Sequence, residues 1–173
     1  LCDSDWFNLD QFLLGKKDEI ARAYFKRFLV SAIKRAYEPG CQVRQLPVLR
    51  GPQDLGKGKL GESIFSTQWF GTDGLSTKLN HDDVASMTRF WCFELGELDG
   101  YRKHQVPKLK NFISQSSSYC RFVYMKSHQM IQRRTLFWGT SNGIPLNDPT
   151  GSTRFVVIPV ETDLPWQDVA IAR

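Results

Sequence analysis

Four short apolar runs, separated by helical or loop-forming segments, are the feature that most constrains the fold of this chain. They cover residues 41–50, 89–93, 135–140 and 155–160. Each run has roughly the length of a strand and is bounded by polar residues or turn-forming residues. Short apolar strands that alternate with helices predict an α/β fold, in which a central and mostly parallel sheet is flanked by helices.

The clearest helical pattern lies ahead of most of these runs, from Lys16 to Tyr37. Apolar residues recur there at spacings of three and four. They are Ile20, Ala21, Tyr24, Phe25, Phe28, Leu29, Ala32, Ile33 and Ala36. Pro39 and Gly40 end the pattern. We interpret it as one amphipathic helix that packs on a core, which is favoured here over a helix lying on a membrane surface.

The composition excludes a disordered chain and a membrane-spanning one. Of the 173 residues, 41% are hydrophobic, and the aromatic residues are 12 Phe, 5 Trp and 5 Tyr, enough for a substantial core. No stretch approaches the roughly 20 apolar residues that a membrane-spanning helix needs. Asp3 and Asp5 stand where a secretory signal would be basic. We therefore expect a cytoplasmic protein with no membrane contact.

The cysteines and histidines predict no metal centre. The 4 Cys and 3 His are scattered along the chain, and none of them has the spacing of a metal-ligand cluster. Free thiols in a reducing compartment are the simpler interpretation.

Positive charge is concentrated in one stretch of the chain. Residues 100–147 contain eight Lys or Arg and no Asp or Glu, although the whole chain carries a net charge of only +5. Those eight are Arg102, Lys103, Lys108, Lys110, Arg121, Lys126, Arg133 and Arg134. Such a block predicts contact with a polyanion such as DNA. From the charge alone, a solvated basic face is an equally good interpretation.

The loop after the first apolar run carries the sharpest local signal. Residues 51–58 read GPQDLGKG and stand between an expected strand and an expected helix, which is the context of a phosphate-binding loop. Gly51 and Gly56 would let backbone N–H groups face a phosphate, and Lys57 would neutralise the outer phosphates. Gly58 stands where such loops have Ser or Thr for Mg²⁺. An incidental glycine turn is the alternative.

Polar residues near the later runs add to this signal. Glu94 and Glu97 follow the second run, where carboxylates could hold Mg²⁺ and activate a water. Asn142 follows the third run and could position that water. Arg154 could stabilise charge on a transferred phosphoryl group, in its own site or in that of a neighbouring subunit. Each feature alone is more often structural, but their joint order favours a nucleotide site.

These motifs resemble those of the virulence-associated protein E family, phage- and island-encoded replication proteins related to superfamily-three helicases. The matching stretches span residues 46–160 in the family's order. They are LPVLRGPQDLGKGKL, RFWCFELGELDG, VPKLKNFIS, RRTLFWGTSN and DPTGSTRFVVIPV. The resemblance implies a P-loop NTPase core of the AAA-like type, which works as a homo-oligomeric ring on DNA, often beside a primase domain or protein.

The resemblance also implies roles for individual residues. Lys57 would bind phosphate, Asn142 would be the sensor, and Arg154 would be the arginine finger. Glu94 and Glu97 would form the acidic pair, with Glu94 at the Mg²⁺ ion and the catalytic base left open between the two. The bound ATP would contact the whole loop, which consists of Gly51, Pro52, Gln53, Asp54, Leu55, Gly56, Lys57 and Gly58.

The chain departs from the family pattern at three places. Gly58 replaces the expected Ser or Thr, and Asp54 adds negative charge where glycine is more usual. Residues 116–118 are serines where an acidic residue often stands. These departures bear on Mg²⁺ affinity and on turnover.

For DNA, we expect phosphate contacts from basic residues and stacking of single-stranded bases on aromatic residues nearby. The basic residues are Lys108, Lys110, Arg121, Arg133 and Arg134, and the aromatic residues are Tyr119, Phe122 and Tyr124.

The expected organisation has an N-terminal helical segment, residues 1–40, and a P-loop ATPase core, residues 41–160. Residues 161–173 form a tail that we expect to be truncated. The expected function is binding and hydrolysis of ATP by a helicase-like domain of a phage- or island-type DNA replication protein, with Mg²⁺ as cofactor. The alternative is a non-hydrolysing module for DNA binding or assembly, with a decayed nucleotide site.

Overall fold

A five-stranded parallel sheet forms the centre of the described structure. The computed structural model describes residues 19–72, 81–120, 127–143 and 154–165. The helices are α1 (Glu19–Tyr37), α2 (Lys57–Phe65), α3 (His81–Met87), a 3₁₀ helix (Leu98–Gly100) and α4 (Val106–Ser114). The strands are β1 (Leu46–Arg50), β2 (Phe70–Gly71), β3 (Cys92–Leu95), β4 (Ser117–Cys120), β5 (Gln129–Gln132), β6 (Leu136–Ser141) and β7 (Phe155–Pro159).

The strand order brings three loops to one edge of the sheet. The order is β2-β3-β6-β1-β7, and every pairing is parallel. Strand β6 therefore lies between β1 and β3, with Arg50 opposite Ser141 and Leu95 opposite Gly139. Because the carboxyl ends of parallel strands share one edge, the loops after β1, β6 and β3 are neighbours. Ligands bind at this edge in open α/β sheets.

Both faces of the sheet are buried, as its parallel pairing requires. Side chains alternate between the faces along each strand. On β6, Trp138 belongs to the core cluster that includes α1 and α2, whereas Phe137 belongs to the cluster that includes α4. On β3, Cys92 belongs to the cluster on the α1 side and Phe93 to the cluster on the α4 side. This alternation explains why the strands appear in the sequence as continuous apolar runs.

Trp138 is the centre of the core on the α1 side. It is fully buried, and its ring centroid lies 5.9 Å from that of Phe25 and 6.0 Å from that of Phe28, both on α1. Phe70 of β2 approaches it edge-on at 6.3 Å. Helix α1 is therefore packed directly on the sheet.

The structure confirms the α/β fold predicted from the sequence and refines its elements. The first apolar run is a strand only over Leu46–Arg50, because its neighbour β7 begins opposite Leu46 and residues 41–45 have no paired strand. Three residues assigned to the buried face of α1 are exposed: Ile20 by 70%, Ile33 by 55%, and Ala36. The prediction was wrong there because the buried stripe is narrower, consisting of Ala21, Phe25, Phe28, Ala32 and Arg35.

The short β4–β5 hairpin was not predicted from the sequence. Its strands pair in antiparallel register, with Tyr119 opposite Met130. Both side chains are exposed, by 59% and 67% respectively. The hairpin has few apolar residues to alternate, so it gives little sequence signal.

The part of the chain that the structure describes contains neither a membrane-spanning helix nor a metal-binding cluster. No helix there is long and apolar enough to cross a membrane. Within the same residues, no group of three His, Cys, Asp or Glu side chains could hold a metal ion.

We expect Trp138→Ala to lower the free energy of unfolding by about 3–5 kcal/mol, because it removes a large buried ring and leaves a cavity. Urea unfolding would measure the change. Trp69→Ala is the matched control, since Trp69 is 47% exposed and should contribute much less. Equal destabilisation by the two substitutions would contradict the packing described here.

Candidate functional site

The loop between β1 and α2 makes a tight turn at the carboxyl edge of the sheet. Gly51 lies close to the strand end of β6, donating its N–H to the Ser141 carbonyl at 3.1 Å. Gly56 has a φ of 73°, in the left-handed region that glycine adopts at little cost. Asp54 also has a left-handed φ of 64°, which explains why glycine suits that position and why Asp, one of the more tolerant residues, can replace it.

Lys57 begins α2 and points back into this loop. Its Nζ donates to the carbonyl oxygens of Gly51, at 2.7 Å, and of Pro52, and to Oδ1 of Asn142 at 3.1 Å. The residue is only 8% exposed. Burial lowers the pKa of Lys57, although the negative charges of Asp54, Asp99 and Glu94 act in the opposite direction.

Glu94 reaches the same site from β3. Its Oε1 accepts a hydrogen bond of 2.7 Å from the hydroxyl of Thr140, on the neighbouring strand β6. Burial raises the pKa of Glu94, and the charge of Glu62 raises it further, while the Thr140 hydrogen bond and Lys57 lower it. Glu94 is thus a carboxylate of increased basicity beside a buried ammonium group.

Asp99 is a site residue that the sequence interpretation missed. Its Oδ1 accepts hydrogen bonds from the Ser141 hydroxyl at 2.9 Å and from the Asn142 N–H at 3.3 Å. Although burial acts to raise the pKa of Asp99, these hydrogen bonds and Lys57 hold it below its ordinary value. Asp99 lies in the 3₁₀ helix that follows the strand carrying Glu94, so its position after a strand end was the signal that could have found it.

A cavity of about 720 Å³ lies at this edge of the sheet, and Asp99 contacts its lining residue Asn142 without bordering it. Its lining includes Lys57, Glu94, Thr140 and Asn142, together with residues 163–165 from the segment after β7. The Leu164 N–H donates to the Leu55 carbonyl at 3.2 Å, which fixes that segment against the loop. Part of the stretch assigned to a tail therefore forms a wall of the candidate site.

Two of the residues assigned to catalysis do not reach this cavity. Glu97 is exposed, has a left-handed φ of 51°, and is not part of the cavity lining. The Arg154 carbonyl accepts a hydrogen bond from the Leu46 N–H, at the amino end of β1. The five residues of β1, at about 3.3 Å each, separate Arg154 from the loop by more than about 13 Å.

Arg154 instead borders a second cavity of about 720 Å³ at the amino edge of the sheet. Arg27, Lys34 and Arg44 also line that cavity, and none of its lining residues is acidic. This strongly basic groove lies at the opposite sheet edge from the candidate phosphate site.

The basic residues assigned to DNA contacts differ in how exposed they are in the structure. Lys108 and Arg134 are exposed, and Lys110 is half-buried. Arg121 lies outside the described residues. Lys108 and the exposed Tyr119 border a shared cavity of about 550 Å³ between α4 and the hairpin.

Arg133 is a correction to the predicted DNA contacts. It is 1% exposed, and its guanidinium donates to the Ser118 hydroxyl, to Oε1 of Gln115 and to the Phe112 carbonyl. The group also lies 4.6 Å from the centre of the Phe112 ring. Burial, reinforced by the charge of Arg35, lowers the pKa of Arg133 to about 9. Arg133 supports the core and is not available to a DNA phosphate.

With the site described, comparison with known proteins identifies the family. The model for the virulence-associated protein E-like domain matches residues 4–172. The chain belongs to the virulence-associated protein E-like (VapE-like) domain family. A search of curated proteins found no significant match.

The fold of this VapE-like domain is similar to that of solved structures. Two apo structures of the C-terminal region of NrS-1 match 95% of the chain, with TM-scores of 0.61 and 0.64 and sequence identities of 20% and 21%. The chain covers 41% of the length of each of those structures. At this level of identity, the likeness establishes the fold.

We expect Glu94→Gln to stabilise the protein at neutral pH. The pKa of Glu94 is raised above 4.5 on folding, so the folded state holds this proton more tightly than the unfolded chain. The stability contributed by Glu94 therefore falls as the pH rises from 4.5 through the raised pKa. Gln removes that ionisation and can still accept from Thr140.

Thermal unfolding across a pH series would measure the effect. The gain should disappear below pH 4.5, where the carboxyl of Glu94 is protonated in both states. Glu97→Gln, at an exposed position, is the control and should change little. A gain that persists at acid pH would contradict the assigned cause.

Proposed function

We propose that this VapE-like domain binds ATP with Mg²⁺ at the β1–α2 loop and hydrolyses it, as the motor part of a phage- or island-type DNA replication protein. The observation that carries the proposal is the buried ammonium group of Lys57, which is held by carbonyls of its own loop and by Asn142. A lysine held in this way is poised to exchange carbonyl oxygens for phosphate oxygens.

The residues present fit a triphosphate. The loop leads into the amino end of α2, where the first N–H groups have no acceptor within the helix and the helix dipole favours an anion. The cavity of about 720 Å³ lies within the usual range for small-molecule sites. The carboxylate of Glu94, on β3, lines this cavity together with Lys57 and supplies oxygen ligands of the kind that Mg²⁺ prefers, and Asp99 adds negative charge nearby.

The arrangement also supports roles in hydrolysis. Bound Mg²⁺ would neutralise charge on the outer phosphates. Lys57 would hold those phosphates, and the Asn142 amide would orient the attacking water. Of the two acidic residues, Glu94 is favoured for a role in the site, because it is half-buried and lines the cavity, whereas Glu97 is exposed and does not.

The alternative, a non-hydrolysing module with a decayed nucleotide site, is favoured by Gly58 and by the charge of Asp54. The two proposals differ in the fate of the bound ATP. Release of phosphate from bound ATP supports the motor, and stable binding without turnover supports the alternative.

We further propose that Arg154 acts in the site of a second copy. The amino end of β1 is too far from Lys57 for Arg154 to serve its own site. The groove that it shares with Arg27, Lys34 and Arg44 suits the acidic carboxyl edge of a neighbouring chain. Head-to-tail contact of this kind generates a ring when the rotation closes.

The surface proposed for single-stranded DNA is the cavity between α4 and the β4–β5 hairpin. Lys108 supplies positive charge there, and Tyr119 supplies an exposed ring that stacks on His128 at 5.7 Å. Basic and aromatic side chains together form the usual platform for single strands. A primase domain or protein is a further partner that the family resemblance suggests.

Lys57→Ala tests ATP binding. We expect it to weaken the affinity for Mg·ATP by at least about tenfold, because charge-assisted contacts to phosphate are lost. Calorimetric titration would measure the affinity. Lys26→Ala, at an exposed position on α1, is the control and should bind as the unmodified protein does. Equal binding by all three proteins would overturn the proposal.

Lys108→Ala tests the DNA surface. We expect weaker binding of single-stranded DNA and a salt dependence reduced by about 0.7 in log–log slope, the contribution of one phosphate contact. Fluorescence anisotropy over a salt series would measure both. Lys103→Ala is the matched control, because Lys103 is exposed in the same basic stretch but does not line the cavity. An unchanged slope for Lys108→Ala would rule out this surface.

A further inference from the structure

Gly58 and Glu94 compete for the same space. A Cβ atom built at position 58 would lie 2.9 Å from Oε2 of Glu94 and 3.3 Å from Oε1. Both distances are shorter than ordinary contact between a carbon and an oxygen atom. A Ser or Thr side chain at position 58 therefore requires the carboxylate to move.

The carboxylate is not free to move without loss. Its Oε1 accepts the hydrogen bond from Thr140, which comes from the adjacent strand β6. The preceding residue Phe93 and the following residue Leu95 are packed in the core cluster on the α4 side, so β3 itself is fixed. Displacing the end of Glu94 would break the Thr140 contact or turn the carboxylate away from Lys57.

We propose that Gly58 and Glu94 form a matched pair, in which the Glu94 carboxylate, positioned by Thr140, takes over the cation-holding role of the hydroxyl that position 58 lacks. The inference rests on the proposed ATP site. A carboxylate is a good ligand for Mg²⁺ and brings a full negative charge, which a hydroxyl does not. On this account, the Glu94 carboxylate can occupy its position only because residue 58 has no side chain. The glycine at position 58 is then not a sign of a decayed nucleotide site.

The pairing predicts how Mg²⁺-dependent ATP binding should differ among four proteins: the unmodified protein, the two single variants and the double variant. Gly58→Ser alone inserts a side chain into the carboxylate, and Glu94→Asp alone withdraws the carboxylate by one methylene. Combined, the shorter acid leaves room for the hydroxyl, so the double substitution should recover what each single one loses. Double-mutant cycles measure this kind of coupling.

The measured quantity is the ratio of ATP affinities with Mg²⁺ and with EDTA, obtained by titration. We expect each single substitution to reduce this ratio by about tenfold and the double substitution to restore it to within about threefold of the unmodified protein. Binding of Mn²⁺ in the presence of ADP, followed by electron paramagnetic resonance, gives the same comparison without turnover. Gly100→Ser is the control, because a Cβ there has nothing within 4 Å.

The outcomes separate the pairing from the proposed function. A larger Mg²⁺ ratio in Gly58→Ser would show that a hydroxyl is simply missing and would overturn the pairing. The pairing would also be overturned if the double variant reduced the ratio by the product of the two single reductions. In both cases ATP binding that depends on Lys57 would stand. If the unmodified protein bound no ATP, the proposed function would fail, and the cation role of Glu94 with it.

Discussion

The candidate site depends on the parallel pairing of β6 between β1 and β3. Strand β1 leads into the candidate phosphate loop, β3 carries Glu94, and β6 supplies Thr140 and, directly after its end, Asn142 between them. Thr140 donates to Glu94 on one side, and Asn142 accepts from Lys57 on the other. A shift of β6 by one residue would exchange its two side-chain faces and break both hydrogen bonds. The large apolar residues of β6 hold this register, because Trp138 and Phe137 pack into opposite core clusters.

The sequence predicts the parts of the site that depend on strand ends. The apolar runs mark where β1, β3 and β6 finish, and parallel pairing places Lys57, Glu94 and Asn142 at one edge of the sheet. The strand order, which the sequence does not give, makes them neighbours. The sequence could not show which of Glu94 and Glu97 reaches the site. That distinction depends on the backbone turn after β3, where Glu97 has a left-handed φ. The same limit explains why Asp99 was missed.

The number of basic residues in a stretch of sequence predicts its surface charge less well than the strand ends predict the position of the site. Arg133 and Arg134 are adjacent in the sequence, yet the first is buried and the second is exposed. Arg133 is held by acceptors on α4 and β4 and by the Phe112 ring. These contacts join residues 15 to 21 positions apart in the chain, and no local pattern contains them. A block of basic residues therefore overstates the charge available to DNA.

The electrostatics of the site favour a cation beside the proposed nucleotide. The negative charges of Asp54, Asp99 and Glu94 already surround the ammonium group of Lys57. A triphosphate adds several more negative charges to a partly buried space, where repulsion is less screened than in water. A divalent cation held by the carboxylates would offset this repulsion. In the proposed site, Gly58 and Glu94 would be two parts of one arrangement for holding that cation.

The most direct test of this account is a crystal structure of the protein with Mg²⁺ and a slowly hydrolysed ATP analogue. The account predicts that Lys57 Nζ leaves the Gly51 and Pro52 carbonyls and contacts phosphate oxygens, with the Glu94 carboxylate on the cation side of the phosphates. A nucleotide bound elsewhere, or a Lys57 that keeps its carbonyl partners beside the bound nucleotide, would contradict it.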